Sequence, residues 1–290
     1  MVFSWLFNLL AFWFFFQTGL SGALNSDVNL ISLSAGATAP DISVERSAVL
    51  AADDRFFFWS GRGDEVQPIA SITKLMTALV FLENNPGWET VYKITADDHV
   101  TGGRLNLFLG DRVTVKNLFY TSLVASDNGA TIALVHATGL SEPEFVKKMN
   151  TKALFLGLAH TKFTDPVGLS DEDVSTAREV TLLARAALSH QEIRQATSQT
   201  DYEFTTLDGK AIKVASTDSL LADSQSGDIQ VLGGKTGYTE KAGYCFVGRF
   251  KGPDGREVIS AVLNAASKSD RFTESETLVN WVFNSFKTPK

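Results

Sequence analysis

The sequence predicts an α+β protein, an antiparallel sheet flanked by helices from both chain ends, together with a mostly helical part. Three observations carry this. Short apolar runs of strand character lie near residues 47–59 and again after residue 200, whereas between them apolar residues recur at helical spacing. The third is the segment Lys251-Gly252-Pro253-Asp254-Gly255, which joins two late apolar runs as a hairpin turn. With 290 residues, 44% hydrophobic and 20% charged, the chain can bury a large core and is not disordered.

Residues 1–26 contain no Lys, Arg, His, Asp or Glu, and six of the 21 Phe fall within residues 1–16. No face of this segment is polar, which excludes an ordinary amphipathic core helix. It reads as a signal peptide with Ser21-Gly22-Ala23 at the cleavage site, or as an N-terminal membrane anchor running from Val2 to Leu24. Either way the chain is expected outside the cytoplasmic membrane, in a periplasm or cell-wall space, secreted or held by its N-terminus.

Residues 27–290 form the expected folded domain, with a sheet part at about 27–69 and 201–290 and a helical part at about 70–200. Strands are expected at Ser47–Ala51 and Arg55–Trp59, followed by the turn Gly61-Arg62-Gly63-Asp64. The Arg-Gly-Asp triplet is read as turn chemistry rather than an adhesion motif. Helical spacing runs over Ile72–Leu82, opening at Ser71, then Val115–Ala125, Asn128–Thr138, Glu142–Leu156 and Arg178–Leu188. Strands follow at Gly243–Phe250 and Glu257–Leu263, and a helix from about Asp270 to Phe286 closes the chain.

Charge and cysteine content narrow the function. With 33 acidic against 26 basic side chains the net charge is -7, which argues against a nucleic-acid partner. A single cysteine, Cys245, excludes an internal disulfide and a multi-cysteine zinc site. No His, Asp or Glu set has metal-ligand spacing, so no metal is expected.

Three short motifs carry the chemistry. Ser71-Ile72-Thr73-Lys74 puts a hydroxyl and an amine three residues apart at a helix start, on one face. A partly desolvated lysine can act as a base, and the helix N-terminus favours an anion forming beside the serine. Ser126-Asp127-Asn128 lies between two helices, and its alternate positions can present a hydroxyl for proton relay and an amide for a substrate carbonyl. Lys235-Thr236-Gly237 precedes the strand that contains Cys245, in an extended segment where Lys235 and Thr236 can face a cleft and Gly237 lets the backbone approach a bound peptide. A phosphate loop ending at Gly234-Lys235-Thr236 is excluded, because the glycine required five residues earlier is Ile229. Each motif alone is common, and a Ser or Asp there could simply cap a helix. In this order, 55 and then 109 residues apart, they form the set found in class A β-lactamases and penicillin-binding proteins.

Longer stretches resemble the serine-type D-alanyl-D-alanine carboxypeptidases, the low-molecular-mass penicillin-binding proteins. They are Pro68–Ala78, Phe163-Thr164-Asp165-Pro166-Val167-Gly168-Leu169, Ser175–Glu179, Gly234–Thr239 with Ala242–Cys245, and Arg271-Phe272 with Glu274-Ser275-Glu276. The resemblance covers roughly residues 38–287 and implies a β-lactamase/transpeptidase-like fold. It implies Ser71 as acylated nucleophile and Lys74 as its base, with Ser126 and Asn128 assisting proton transfer and holding the peptide. Lys235 and Thr236 bind the terminal carboxylate, with Arg271 as a second cation, while Gly237 admits the peptide and the N–H groups of Ser71 and Tyr238 form an oxyanion hole. The implied partners are a peptidoglycan stem peptide ending in D-Ala-D-Ala and β-lactams as covalent inhibitors, with no cofactor. Asp127 departs from the glycine usual in this family, and its charge could alter the pocket. The usual Asn-rich stretch before a Leu pair reads Ser216-Thr217-Asp218-Ser219-Leu220-Leu221. The further β-rich domain and amphipathic C-terminal anchor of well-known relatives are not expected here, so any membrane attachment is expected at the N-terminus.

Rival readings are weaker. A class A β-lactamase needs a deacylating Glu in a Glu-x-x-Leu-Asn segment, which does not follow Ser126. An endopeptidase cutting cross-links would use the same residues on a longer substrate. A non-catalytic cell-wall module would not need intact Ser71, Lys74 and Lys235. A Ser-His-Asp hydrolase, with His99, His136, His160 and His190 as candidate bases, lacks a Gly-x-Ser-x-Gly elbow, and His136 sits in an apolar helical run.

Overall fold

A computed structural model of the chain describes residues 32–34, 37–100, 102, 105–223 and 228–287; the leader, residues 1–26, lies outside them. Among the described residues no helix is long and apolar enough to cross a membrane. The chain divides into two compact units, Met1–Ala37 with Ser285–Lys290, and Thr38–Asn284. In the first, strand β1 (Ser32–Leu33) pairs antiparallel with β13 (Phe286–Lys287).

The larger unit opens with β2 (Arg46–Ala51), β3 (Phe57–Gly61) and β4 (Gln67–Pro68), then a 3₁₀ turn at Ala70–Thr73 that runs into α1 (Lys74–Leu82). A small hairpin of β5 (Val91–Lys93) and β6 (Arg112–Thr114) precedes α2 (Val115–Val124), α3 (Asn128–Ala137) and α4 (Glu142–Phe155). Strand β7 (Val174–Ser175) pairs with β4, and α5 (Ala177–Ser189) and α6 (Gln191–Thr197) follow. The hairpin β8 (Asp201–Thr205) and β9 (Ala211–Ala215) leads through α7 (Leu220–Asp223) to β10 (Gln230–Thr239), β11 (Gly243–Lys251), β12 (Glu257–Ala265) and α8 (Asp270–Ser285).

The main sheet is five-stranded and antiparallel, in the order β10-β11-β12-β2-β3. Its middle strands are apolar on both faces because helices cover both. On one face α5 packs against β2, β10, β11 and β12. On the other, α8 sets Phe272 against Phe246 with centroids 5.0 Å apart and Trp281 against Trp59 at 5.7 Å. Buried Ser275 on α8 also donates to Ser260 on β12 at 3.0 Å.

Helix α1 has no polar face to lose, since Lys74 to Phe81 are all buried, and it packs against α2, α3, α4 and α5. Its neighbours start with side-chain caps: Thr114 for α2, Asp127 for α3, a Ser141–Glu144 capping box for α4 and Thr176 for α5. Each expected helix is present to within about two residues, the fraying usual at helix ends. Helix α6 and the β8–β9 hairpin were not resolved as separate elements by pattern. The seven residues of α6 are too few to establish a helical period, whereas β8 and β9 do alternate, with Tyr202 and Phe204 and with Ile212 and Val214 turned to the core.

Candidate active site

The site begins at a strained turn. Ala70, immediately before Ser71, holds φ +49°, a left-handed value that costs about 1 kcal/mol for a residue with a Cβ. The sequence pattern places Ser71 at the head of the helix; it lies instead in the 3₁₀ turn, and Lys74 is the first α-helical residue. In a 3₁₀ turn positions i and i+3 eclipse, which stacks Lys74 directly on Ser71. The amine donates to Ser71 Oγ at 2.9 Å, to Asn128 Oδ1 at 2.7 Å and to the Val167 carbonyl at 2.8 Å.

Burial pushes Lys74 down to about 7, against the charges of Asp127, Asp165 and Asp173, which pull it back up. Near neutrality, therefore, a large fraction of this amine is uncharged. Two of its three partners are carbonyl oxygens that can only accept. In the neutral form the two remaining N–H bonds go to Asn128 and Val167, and the lone pair faces the Ser71 hydroxyl. That is the arrangement of a general base aimed at one proton.

The Val167 carbonyl is delivered by a loop that two carboxylates organise. Asp165 accepts the N–H groups of Val167, Gly168, Leu169 and Ser170 at 2.7, 2.5, 3.1 and 2.7 Å. Asp173 accepts from Thr164 N and Oγ1 and from Asp165 N, and also from Thr73 Oγ1 at 3.3 Å. Burial, with Asp165 beside it, raises Asp173 to about 6. Gly168 holds φ +81°, and a Cβ there would lie 2.1 Å from the Ala70 carbonyl oxygen, so only glycine lets the loop pass under the Ser71 turn.

Ser126-Asp127-Asn128 connects α2 to α3 in alternating directions. Ser126, with φ +58°, and Asn128 line the cleft, and Asn128 also donates through Nδ2 to Gly102 O at 3.1 Å. Asp127 is buried: its Oδ1 caps α3 through Ala130 N at 2.8 Å, and its Oδ2 accepts N and Nδ2 of Asn106, both at 2.8 Å. Its carboxylate therefore reaches the site only as a charge acting on Lys74.

Strand β10 forms the opposite wall. Lys235, 1% exposed, donates to Ser126 Oγ at 2.8 Å and to the Thr236 carbonyl at 2.9 Å. Thr236 donates its hydroxyl to Thr217 Oγ1 at 2.6 Å. Gly237 backs onto the Ser71 turn, where a Cβ would sit 2.7 Å from Ile69 O and 3.2 Å from Ser71 N. Tyr238 is half exposed and stacks on Tyr244 at 4.4 Å. From α8, Arg271 donates to the Gly237 carbonyl at 3.3 Å and lies over the Phe272 ring at 4.7 Å. Burial lowers its hold on its proton.

Ser71, Ser126, Asn128, Thr236, Gly237, Tyr238 and Arg271 line one cleft of about 470 Å³, with Lys74 and Lys235 bonded to its serines from behind. The structure thus brings all nine expected site residues together. Sequence reasoning missed Thr217, Tyr244, Lys268 and Leu169, which share the lining, and the Val167 carbonyl. Only Lys268, three residues before Arg271, carried a charge signal; a backbone acceptor carries none.

Two of the candidate histidines, the cysteine and the Arg-Gly-Asp turn are engaged away from this cleft. His136 bonds Asp98 at 2.7 Å and His160 bonds Glu179 at 2.8 Å. Cys245 is buried in β11, which raises its thiol to about 11 and keeps it protonated. In the Arg-Gly-Asp turn, Arg62 pairs with Glu45 and Glu65, and Asp64 with Arg178 at 3.2 Å.

Residues 36–267 match the profile of the peptidase S11 family, described as D-alanyl-D-alanine carboxypeptidase. The chain is 36% identical over 190 residues to a D-alanyl-D-alanine endopeptidase of Haemophilus influenzae, covering 65% of this chain and 64% of that one. It is 30% identical over 251 residues to the D-alanyl-D-alanine carboxypeptidase DacF of Bacillus subtilis, covering 84% of this chain and 63% of that one. The chain thus spans a little under two thirds of the length of each of these relatives. Among solved structures, penicillin-binding protein D2 of Listeria monocytogenes in its cefotaxime-bound form superposes with a TM-score of 0.73 at 32% identity, covering 85% of this chain and 99% of that one. The sheet and its covering helices therefore have the transpeptidase-like fold that the resemblance implies.

Proposed function

From the premise that this chain belongs to the D-alanyl-D-alanine carboxypeptidase family, we propose that it is a serine-type peptidase removing the terminal D-alanine from peptidoglycan stem peptides. The carrying observation is the buried Lys74 amine, held between two carbonyl acceptors with its third contact on Ser71 Oγ. Lys74 takes the Ser71 proton as Oγ bonds to the penultimate carbonyl carbon. The resulting oxyanion faces the N–H groups of Ser71 and Tyr238. The C–N bond then breaks as the proton that Lys74 took passes through Ser126, held by Lys235, to the departing D-alanine nitrogen, which leaves Lys74 uncharged to take a proton from the water that follows. Water attacks the ester on Ser71 and restores the hydroxyl. Asn128 holds the peptide, and Lys235, Thr236 and Arg271 receive its terminal carboxylate beside Gly237.

β-Lactams acylate the same serine as covalent inhibitors. Helices α1 to α6 fall within the helical part proposed at about 70–200, and all five strands of the main sheet fall outside it. The substrate places the enzyme outside the cytoplasmic membrane, with residues 1–26 as a signal or an anchor. A second reading, cleavage of D-alanyl cross-links, is favoured by the endopeptidase name of the Haemophilus relative. Labelling by fluorescent penicillin tests the nucleophile: wild-type protein is expected to label and Ser71→Ala not, and equal labelling overturns the assignment. Release of free D-alanine from a pentapeptide, set against cleavage of cross-linked dimers, decides between the two peptidase readings.

A further inference from the structure

Asp218 is a carboxyl group that this chemistry does not use, set where a negative charge opposes the substrate. It is 5% exposed, and Arg271 is 4% exposed. Asp218 Oδ1 accepts the Leu220 N–H at 3.0 Å, whereas Oδ2 is buried with no hydrogen-bond partner among the described residues. On Arg271 the Nε is likewise buried, with no partner among the described residues. The segment is fixed on the wall of the cleft, because Ser216 Oγ accepts the Asp218 N–H at 3.1 Å and Thr217 accepts the Thr236 hydroxyl at 2.6 Å. The charges that act on Asp218 are Lys235 from β10 and Arg271 and Glu276 from α8.

We propose that Asp218 is a positioning residue of the carboxylate subsite that works in its protonated form, so that capture of a substrate carboxylate is coupled to uptake of one proton. The proposal rests on the reading above only for the ligand being an anion that ends in a carboxylate. An ionised Asp218 would compete for the two cations, Lys235 and Arg271, that the substrate needs, in a wall where charges are weakly screened. A neutral Asp218 leaves both cations to the ligand and gives Oδ2 a proton to donate. Burial already works in this direction, raising the carboxyl to about 7 in spite of the two cations. A carboxylate arriving on Arg271 adds a like charge nearby and raises it further. The two buried groups then make opposite demands, since Lys74 must have lost its proton and Asp218 must have kept its own.

The test is the second-order rate of acylation by a fluorescent penicillin, which itself carries a carboxylate, measured from pH 6 to 9.5 in wild type and Asp218→Asn. Wild type is expected to slow above neutrality, approaching about tenfold per pH unit for one proton. Asp218→Asn is expected to share the acid limb and stay flat over the alkaline range. Thermal unfolding verifies that the variant is folded, and Asp218→Ser replaces it if it is not. Two profiles that fall in parallel, or a wild type that does not fall, overturn this proposal alone. Absence of any labelling in wild type overturns it together with the reading of the site.

Discussion

Lys235 donates to Ser126 Oγ at 2.8 Å across a separation of 109 residues, and Ser126 meets it from a left-handed backbone at φ +58°. This one bond ties β10 to the connection between α2 and α3, and so closes the two walls of the cleft on each other. The backbone strain persists because its neighbour is pinned, Asp127 being fixed as the cap of α3. A position held in an unfavourable conformation for the direction of its side chain is one where stability and activity separate.

That separation can be measured. Ser126→Gly removes the hydroxyl and relieves the φ strain, whereas Ser126→Ala removes the hydroxyl and keeps it. Both are expected to lower penicillin acylation by about 10²-fold or more, the usual worth of a positioned proton-transfer group. In urea denaturation Ser126→Gly is expected to exceed Ser126→Ala by about 1 kcal/mol. Equal stabilities would show that the turn is not strained.

Lys74 gives the pH dependence of acylation its acid limb. With the amine lowered to about 7 by burial, the rate is expected to fall about tenfold per pH unit below that point as the base becomes charged. The sign for stability follows from the same shift. The unfolded chain holds this proton up to its ordinary value of 10.5, so burial of Lys74 opposes folding fully below about pH 7, and the opposition fades as pH rises from there to 10.5. Lys74→Arg carries a charge that cannot be removed. It is expected to lose about 10²- to 10⁴-fold in acylation at every pH, read by stopped-flow labelling.

Much of this was legible from pattern. Ser71 and Lys74 three residues apart, Ser126 and Asn128 on alternate positions, and Lys235 with Thr236 before a strand each announced a shared face, and the fold keeps each face. For Asp127 both sequence readings hold at once: it caps α3 while its two neighbours face the cleft. What pattern could not carry is where a backbone group points. Nothing in the types of residues 163–170 shows that Asp165 gathers four N–H groups so that the Val167 carbonyl meets Lys74. Nor does Asp218 read from sequence as buried within the field of two cations, because that depends on α8 returning against β10, about 50 residues later.

Asp127→Asn isolates the long-range charge. An amide can still cap α3, since Asn and Asp serve about equally at that position. Its NH₂ group, however, meets the N–H donors of Asn106 where the second carboxylate oxygen had accepted them. A stability loss of about 1–3 kcal/mol is expected from those unpaired donors. Asp127 is one of three carboxylates that hold the Lys74 proton on. Its loss is expected to move the acid limb of acylation to lower pH, and a limb that stays in place would show that Asp127 acts on the fold alone.

Gly237→Ala tests the closeness of β10 to the nucleophile. A methyl group there meets backbone on the far side, 2.7 Å from Ile69 O and 3.2 Å from Ser71 N, with Ala70 Cβ at 3.1 Å. Backbone cannot rotate away as a side chain can, so the strand must move off the Ser71 turn. The N–H groups of Ser71 and Tyr238 then spread, and an oxyanion between them loses at least one donor. Acylation is expected to fall about 10²- to 10³-fold, the worth of one such donor, with a stability cost of about 1–3 kcal/mol from overpacking. The acid limb is expected to stay where it is, because Lys74 keeps its three partners. Gly255→Ala serves as the control: at φ +82° it strains a hairpin turn, but its Cβ enters open space. It should cost similar stability and leave acylation unchanged, and equal acylation losses in both variants would assign the Gly237 effect to weakened folding rather than to the oxyanion site.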